Sequence, residues 1–258
     1  MGEAHLALGD IYEEQKEYDK AIASYGETIQ RNPKNANAFF KRGKLLDRTY
    51  DYLKACEDYK RVIDLAPHLK VEVYPLLSKV NGYLIKDAHV FANRGKAFMD
   101  TGEIELAIAD FNKALQYNPD YYRVYFYRGF CHHMLGKGNL ALKDYDEAIG
   151  LRRIEPDFYY ARAITYQKLG KFTESIQDLQ KTMELNPSFH AAHHRMGLLY
   201  EEKKDYKNAV KSYERAIDVY PGKSFYYYEL SRVYLSMGNL DMSNANRMKA
   251  RDLEKQNR

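Results

Sequence analysis

AHLALGDIYEEQKEYDKAIASYGETIQRNP, residues 4–33, opens a pattern that returns along the chain. The same order of small, aromatic and proline residues recurs in FFKRGKLLDRTYDYLKACEDYKRVIDLAP (39–67), VFANRGKAFMDTGEIELAIADFNKALQYNP (90–119) and HHRMGLLYEEKKDYKNAVKSYERAIDVYP (193–221). Neighbouring copies lie 34 residues apart, except where 18 extra residues follow position 69. A fixed period of this length predicts a stack of supersecondary units.

Each of seven copies has a small residue in its first half; in its second half most copies have an alanine, an aromatic residue and a closing proline, with Ser175 and Ser243 in place of two of the alanines. The small residues are Gly9, Gly43, Gly95, Gly129, Ala163, Gly197 and Ser231. The aromatic residues are Tyr25, Tyr59, Phe111, Tyr145 and Tyr213. This combination resembles the tetratricopeptide repeat (TPR). The resemblance implies an all-α fold, a right-handed TPR superhelix of about seven helix-turn-helix repeats with one inserted helical segment.

These residue types suit stacked helix pairs. A small residue lets the two helices of a pair approach closely, and the aromatic residue fills the space between neighbouring pairs. Proline cannot continue a helix, and no pair buries its apolar face alone, so the pairs must stack. We expect repeats one and two in residues 1–69, an inserted helical segment in 70–87, repeats three to six in 88–223, and a degenerate seventh repeat with a C-terminal capping helix in 224–258.

Two segments depart from the period. KVEVYPLLSKVNGYLIKD (70–87) has apolar residues at helical spacing, and Pro75 fits the first turn of a helix. We interpret this segment as an extra or lengthened packed helix, with a hinge or a partner-binding helix as the alternative. In LRRIEPDFYY (151–160), Pro156 comes three residues late, which predicts a longer loop.

Arginine and aspartate change together from repeat to repeat. Where the seventh residue of the first helix is arginine, residue 23 of the repeat is aspartate. This holds for Arg42 with Asp58, Arg94 with Asp110, Arg128 with Asp144 and Arg162 with Asp178. The other three repeats have an apolar residue with serine or asparagine. The covariation predicts four Arg–Asp pairs, each inside one repeat, because guanidinium and carboxylate match in planar geometry.

The composition limits the function classes. With 45% hydrophobic and 29% charged residues, the chain can bury a substantial core, and its net charge of +4 argues against a polycation for nucleic acid. Cys56 and Cys131 are too few for a disulfide framework and fit a reducing compartment. The sequence lacks a membrane-spanning apolar run and a signal-peptide core. We therefore expect a cytoplasmic protein without a membrane partner; its oligomeric state stays open.

YFYRGFCHHMLG, residues 125–136, places a cysteine and two histidines among aromatic residues. Adjacent histidines point about 100° apart on a helix and do not chelate one metal ion together, and His193 with His194 has the same spacing. Cys131 has no histidine base within its own turn. We interpret these side chains as structural, and we expect no catalytic site, no metal and no cofactor.

The TPR resemblance implies a concave groove lined by the first helix of each repeat. Its candidate lining residues are Lys44, Asn93, Lys96, Arg123, Phe126, Tyr127, Phe130, Tyr160, His194, Arg195, Tyr228 and Arg232. Aromatic residues would form its centre, with basic residues on both sides, as in interface hot spots. We therefore expect a protein or peptide partner with an aromatic or aliphatic anchor flanked by acidic residues.

Other functions can use the same scaffold. A chaperone adaptor would grip an acidic C-terminal peptide in a two-carboxylate clamp. Asn93 and Arg123 fit that clamp in part, whereas Phe40, Lys44 and Tyr127 depart from it. RNA binding has aromatic and basic residues in its favour but a low net charge against it. The sequence favours a non-enzymatic protein-interaction scaffold over both.

Overall fold

A computed structural model describes residues 2–256, which form fourteen α-helices and one 3₁₀ turn, Pro67–Leu69. The helices follow one another as hairpins. Their bounds are α1 Gly2–Glu14, α2 Tyr18–Arg31, α3 Ala36–Arg48, α4 Tyr52–Leu65, α5 Lys70–Thr101, α6 Ile104–Tyr117, α7 Tyr122–Met134, α8 Gly138–Leu151, α9 Pro156–Lys168, α10 Phe172–Leu185, α11 His190–Glu202, α12 Tyr206–Val219, α13 Ser224–Ser236 and α14 Leu240–Gln256. The all-α helix-turn-helix architecture is confirmed. Within the described residues, none of the helices is long and apolar enough to cross a membrane.

The chain forms two compact units. The first contains α1–α4, α5 up to residue 97, and residues 109–119. The second contains residues 98–108 and the chain from residue 120 onward, with α7–α14. In each unit, consecutive helices such as α1 and α2, or α7 and α8, pack against each other. The finer division at residues 69/70, 87/88 and 223/224 stays a prediction.

The small and aromatic positions explain the close approach within a hairpin. A Cβ atom built on Gly197 would lie 2.5 Å from Cε1 of Tyr213, and one on Gly9 would lie 2.5 Å from Cε1 of Tyr25. Both tyrosines are fully buried. The aromatic residue therefore packs under the glycine of its own hairpin. Tyr213 also joins Leu230 of the following hairpin in one hydrophobic cluster, so it contacts both.

The inserted segment continues directly into the next helix. α5 runs for 32 residues from Lys70 to Thr101, so the insertion lengthens the first helix of the third repeat. Val73, Val80 and Leu84 bury their side chains against Tyr59 in the core of the first unit. Pro75 is the sixth residue of α5 and not in its first turn, contrary to the sequence expectation.

The longer loop expected at Pro156 is also absent. α8 ends at Leu151 and α9 begins at Pro156, which leaves the same four-residue connection as between α10 and α11. Pro156 is the first residue of α9. Proline suits this position because the first helical N–H has no partner within the helix.

All four predicted Arg–Asp pairs are confirmed as two-point contacts. In each pair, Nε and Nη2 of arginine donate to the two carboxylate oxygens of aspartate. The Nε and Nη2 distances are 2.8 and 2.8 Å for Arg42–Asp58, 2.6 and 2.8 Å for Arg94–Asp110, 2.9 and 2.6 Å for Arg128–Asp144, and 2.8 and 2.8 Å for Arg162–Asp178. Arg162 additionally contacts Asp146 of the preceding hairpin at 2.5 Å. Each of these arginines is thus paired with an aspartate of its own repeat.

Candidate functional site

A cavity of about 160 Å³ opens between α7 and α9 in the second unit. We call it the aromatic cavity; its lining residues are Phe126, Phe130, His133, Tyr145, Asp157, Tyr160, Ala161 and Ile164. Phe126, Phe130 and Tyr160 are three of the residues that the sequence placed in a groove. The structure brings these three together.

The helical repeat explains why these side chains converge. Phe126, Phe130 and His133 are spaced four and three residues apart, so they share one face of α7. Tyr160 and Ile164 occupy the same positions of α9, 34 residues later than Phe126 and Phe130. The first helices of two successive hairpins therefore present matching faces to one cavity.

A second cavity, of about 150 Å³, lies further along the same pair of helices. We call it the lysine cavity; its lining residues are His133, Gly136, Gly138, Thr165, Lys168 and Leu169. His133 belongs to both cavities. Its Nδ1 lies 2.8 Å from the hydroxyl of Thr165, and burial, followed by the charges of Lys168 and Arg195, lowers its pKa.

The other groove candidates are distributed over both units. Lys44, Asn93 and Lys96 belong to the first unit, where Nζ of Lys44 lies 5.3 Å from the ring centre of Phe40. Arg123, Tyr127 and Arg195 belong to the second. Arg123 is exposed, and its guanidinium lies 5.8 Å from the ring centre of Tyr122. The ring centre of Tyr127 lies 5.7 Å from that of Phe126, beside the aromatic cavity.

Three groove candidates near the C-terminal end are engaged within the protein. Nη2 of Arg232 lies 2.7 Å from a carboxylate oxygen of Glu201 and also pairs with Glu229, so its charge is not available as we expected. The hydroxyl of Tyr228 donates to Glu254 at 3.1 Å. His194 packs its ring against Tyr213, Phe225 and Tyr226, and its Nε2 is buried without a hydrogen-bond partner. These contacts depend on neighbouring residues that do not recur from repeat to repeat, so the repeat pattern did not predict them.

The Cys-His-His stretch forms packing and hydrogen-bond contacts in α7. Cys131 is fully buried, and burial raises the pKa of its thiol to about 11, which disfavours the nucleophilic thiolate. Nε2 of His132 lies 3.8 Å from Asp144. Across residues 2–256, no three His, Cys, Asp or Glu side chains are grouped so that they could hold a metal ion.

The sequence-based candidates omitted several cavity residues, among them the charged residues Asp157 and Lys168. Asp157 occupies the position of its repeat that the candidate Arg123 occupies in the preceding one, so it could have been found. Lys168 occupies a position that holds no candidate in any repeat. Its contact with the cavity depends on the position of the next hairpin turn, which a single helix face does not reveal.

Comparison with known families identifies the fold. A family described as TPR repeat matches residues 3–48 and 95–136. A second, described as tetratricopeptide repeat, matches residues 156–189 and 190–223. Together the matches cover more than half of the chain. The chain belongs to the tetratricopeptide repeat family.

A curated relative and several solved structures support this assignment. Human tetratricopeptide repeat protein 21B is 30% identical over 115 residues, which are 40% of this TPR chain and 9% of the human protein. The chain thus matches only a small part of that relative. A crystal structure of MamA has a TM-score of 0.60 and 21% identity, covering 66% of this chain and 93% of MamA.

A MamA structure from Desulfovibrio magneticus RS-1 has a TM-score of 0.61 and 16% identity, and covers 66% of this chain and 96% of that one. YrrB, a TPR protein with an unusual peptide-binding site, has a TM-score of 0.55 and 18% identity, covering 78% of this chain and 94% of YrrB. At these identities, the likeness shows the shared solenoid fold alone.

Proposed function

We propose that this TPR protein is a non-enzymatic interaction scaffold that binds a partner protein in the groove between α7 and α9. An extended partner segment inserts an aromatic or aliphatic side chain into the aromatic cavity, and acidic residues flank this anchor. The observation that carries the proposal is the convergence of Phe126, Phe130 and Tyr160 on one cavity of about 160 Å³. An apolar cavity of about 150 Å³ holds one benzene molecule, so this cavity suits a single large apolar side chain.

Two features support this reading over a purely structural one. Phe130 is 41% exposed although it lines the cavity, so its ring is accessible to a ligand. Exposed aromatic rings around a concavity are typical of interface hot spots. YrrB, which shares the fold, has a peptide-binding site. The proposed role is that of a cytoplasmic adaptor, with the free thiols of Cys56 and Cys131 in favour of a reducing compartment.

The test is a fluorescence-anisotropy titration with capped, labelled nine-residue peptides. They share an acidic Gly/Ser/Glu sequence and differ only in a central Phe, Leu, Trp or Ala. We expect the Phe, Leu or Trp peptides to bind and the Ala peptide to fail. Phe130→Ala should weaken binding about tenfold, which corresponds to about 1.4 kcal/mol.

Leu140→Ala is the matched control, because Leu140 is also an exposed apolar residue, at 49%, but does not line the aromatic cavity. It should leave the affinity unchanged. Circular dichroism should report the same helicity for both variants. Failure of every anchor peptide to bind, or equal binding to Phe130→Ala and wild type, would overturn the proposed function.

A further inference from the structure

His133 lines both the aromatic cavity and the lysine cavity. The hydroxyl of Thr165 donates to the carbonyl oxygen of Ala161 at 3.0 Å, a common bond for a threonine inside a helix. With the hydroxyl proton used in this bond, we assign its oxygen as the acceptor toward His133 and the proton of the neutral imidazole to Nδ1, which lies 2.8 Å away. Nε2 keeps its lone pair, and no side chain or backbone group within residues 2–256 is hydrogen-bonded to it.

One cation shares the lysine cavity with this imidazole, and the charge of a second cation acts on it. Lys168 of α9 lines the lysine cavity, and Arg195 belongs to α11. Both charges oppose protonation of His133, in addition to the effect of burial. The other titratable groups that line the cavities are the phenols of Tyr145 and Tyr160 and the carboxylate of Asp157, all at the aromatic cavity. Lys168 therefore makes the His133 end of the two cavities basic, whereas the charged residue that lines the other end is Asp157, with the exposed Arg123 at the equivalent position of α7.

We propose that this basic end is a binding site for an acidic side chain of the partner segment, and that His133 takes up a proton when the side chain binds. The inference rests on the proposed function, since the apolar anchor of the same segment occupies the aromatic cavity. The carboxylate lies near Lys168 and Arg195 and accepts a hydrogen bond from Nε2–H of the imidazolium.

Proton uptake follows from the charges. In the free protein, the two cations disfavour the imidazolium. A bound carboxylate offsets their charge and adds a hydrogen-bond acceptor for it, so the pKa of His133 is higher in the complex than in the free protein. Between these two pKa values the complex holds more protons than the free protein. Affinity for an acidic segment therefore rises as the pH falls through this window.

The spacing between anchor and acid follows from helix geometry. Ala161 lines the aromatic cavity and Lys168 the lysine cavity, and seven residues of α9 span about 10 Å along its axis. Residues i and i+2 of an extended peptide point to the same face and lie about 7 Å apart. The long side chains of glutamate and lysine span the remaining distance between the peptide and Lys168. Asp157 repels a carboxylate at the opposite end. The acid therefore lies two residues from the anchor, on the His133 side.

The experiment measures anisotropy of labelled, end-capped peptides at pH 8.0, 6.5 and 5.5. One peptide has a central Phe with Glu two residues after it and another has Glu two residues before it, because an extended segment enters a groove in either direction. Each has a twin with Gln in place of Glu. A fifth peptide has no Glu but a free C-terminal carboxylate two residues after Phe, which separates a terminal from a side-chain source. The glutamate side chain stays ionised in this range, since its pKa is about 4.3.

We expect one Glu peptide to bind about three- to tenfold more tightly at pH 5.5 than at pH 8.0, with its Gln twin unaffected by pH. His133→Gln keeps an amide that can donate to Thr165 and should abolish the pH dependence. Lys168→Gln should reduce the preference for Glu over Gln, whereas Lys143→Gln, an exposed lysine of α8, should not.

The outcomes separate the two proposals. If anchor peptides bind wild type but the Glu peptides show no pH dependence, or His133→Gln retains it, the carboxylate site is wrong and the proposed function stands. A pH effect with the free C-terminal carboxylate alone also overturns the side-chain site. If no anchor peptide binds at any pH, both proposals fail.

Discussion

The four Arg–Asp pairs repeat one contact with the period of the fold. Their aspartates are almost fully buried, between 3% and 5% exposed. A buried carboxylate is strongly unfavourable unless a fixed cation and hydrogen bonds compensate for its lost hydration. Other repeats use an apolar residue with serine or asparagine at the same two positions, for example Leu8 with Ser24. The same fold therefore accommodates either an Arg–Asp ion pair or an apolar residue with a small polar one at these two positions.

Removing one member of a pair should destabilise the protein more than replacing both. Asp58→Ser leaves the guanidinium of Arg42, only 26% exposed, without its carboxylate, and should lower the free energy of unfolding by about 2–3 kcal/mol. The double variant Arg42→Leu with Asp58→Ser copies the Leu8 and Ser24 combination and should lose less. Urea unfolding of the two single variants and the double variant measures the coupling. A double variant as unstable as the sum of both singles would contradict this account.

His194 makes stability depend on pH. Burial lowers its pKa to about 4, and the charges of Arg195, Lys223 and Arg232 act in the same direction. The unfolded chain binds the proton with a pKa near 6.5, so the unfolded state holds more protons between these values. The contribution of the neutral imidazole is therefore fully present above pH 6.5 and is lost as the pH falls toward 4.

We expect this residue to lower the free energy of unfolding by about 2–3 kcal/mol between pH 7.5 and pH 4. His194→Phe keeps an aromatic ring beside Tyr213, Phe225 and Tyr226 but has no proton to bind. Its stability should therefore decline less over the same range. Urea unfolding at several pH values gives both slopes. Parallel slopes for wild type and His194→Phe would assign the pH dependence to other groups.

At the scale of the helix hairpin, the turns between first and second helices share one backbone feature. Counted from the start of each 34-residue repeat, with the third repeat starting at residue 88, the fifteenth residue has a positive φ angle. The angles range from 58° at Lys204 to 87° at Gly102. Four of these seven residues are glycine, and the other three are Lys16, Tyr50 and Lys204. A residue with a Cβ atom is strained in this region, whereas glycine is not. Three turns therefore keep a local strain that the period of the fold imposes.

Lys204→Gly should stabilise the protein by about 1 kcal/mol, because relief of the strain exceeds the extra entropy of glycine in the unfolded chain. Lys203→Gly is the matched control. Lys203 is also exposed, but its φ of −82° is one that lysine adopts readily, so glycine there should destabilise slightly. Thermal unfolding of both variants decides the point. A lower melting temperature for Lys204→Gly would refute the strain argument.

The sequence repeat predicted those structural features that recur from one repeat to the next. The hairpins, the Arg–Asp pairs and the convergence of Phe126 with Tyr160 each follow from equivalent positions in successive repeats. Contacts outside the period gave no such signal. Within residues 2–256, the contact between Glu201 and Arg232 does not recur at the equivalent positions of other repeats. The continuity of α5 likewise depends on the absence of a helix break after residue 87. A repeat pattern fixes helix faces, but it does not identify neighbours that occur once.

At the scale of the whole molecule, the charges are numerous but balanced. The chain has 40 lysines and arginines against 36 aspartates and glutamates. Many are paired with a residue three positions away, such as Lys54 with Asp51 and Lys181 with Glu184. Four arginines are used in the buried pairs. A net charge of only +4 argues against recognition of a nucleic-acid backbone, so we expect binding to depend on an apolar anchor with a few charges.

Salt dependence distinguishes these two modes of recognition. A peptide with a Phe anchor and one Glu should lose only a fewfold in affinity between 50 and 500 mM salt, because apolar burial is not screened and one carboxylate meets few cations. A 20-nucleotide oligouridine would need several phosphate contacts, and its affinity would fall with a slope of about −0.7 per phosphate contact on a logarithmic scale. We expect it not to compete with the peptide at 150 mM salt. Anisotropy titrations with both ligands, with Phe130→Ala as the control for the cavity, test this directly. Tighter binding of the oligonucleotide, with a steep salt slope and no effect of Phe130→Ala, would replace the peptide scaffold with an RNA-binding function.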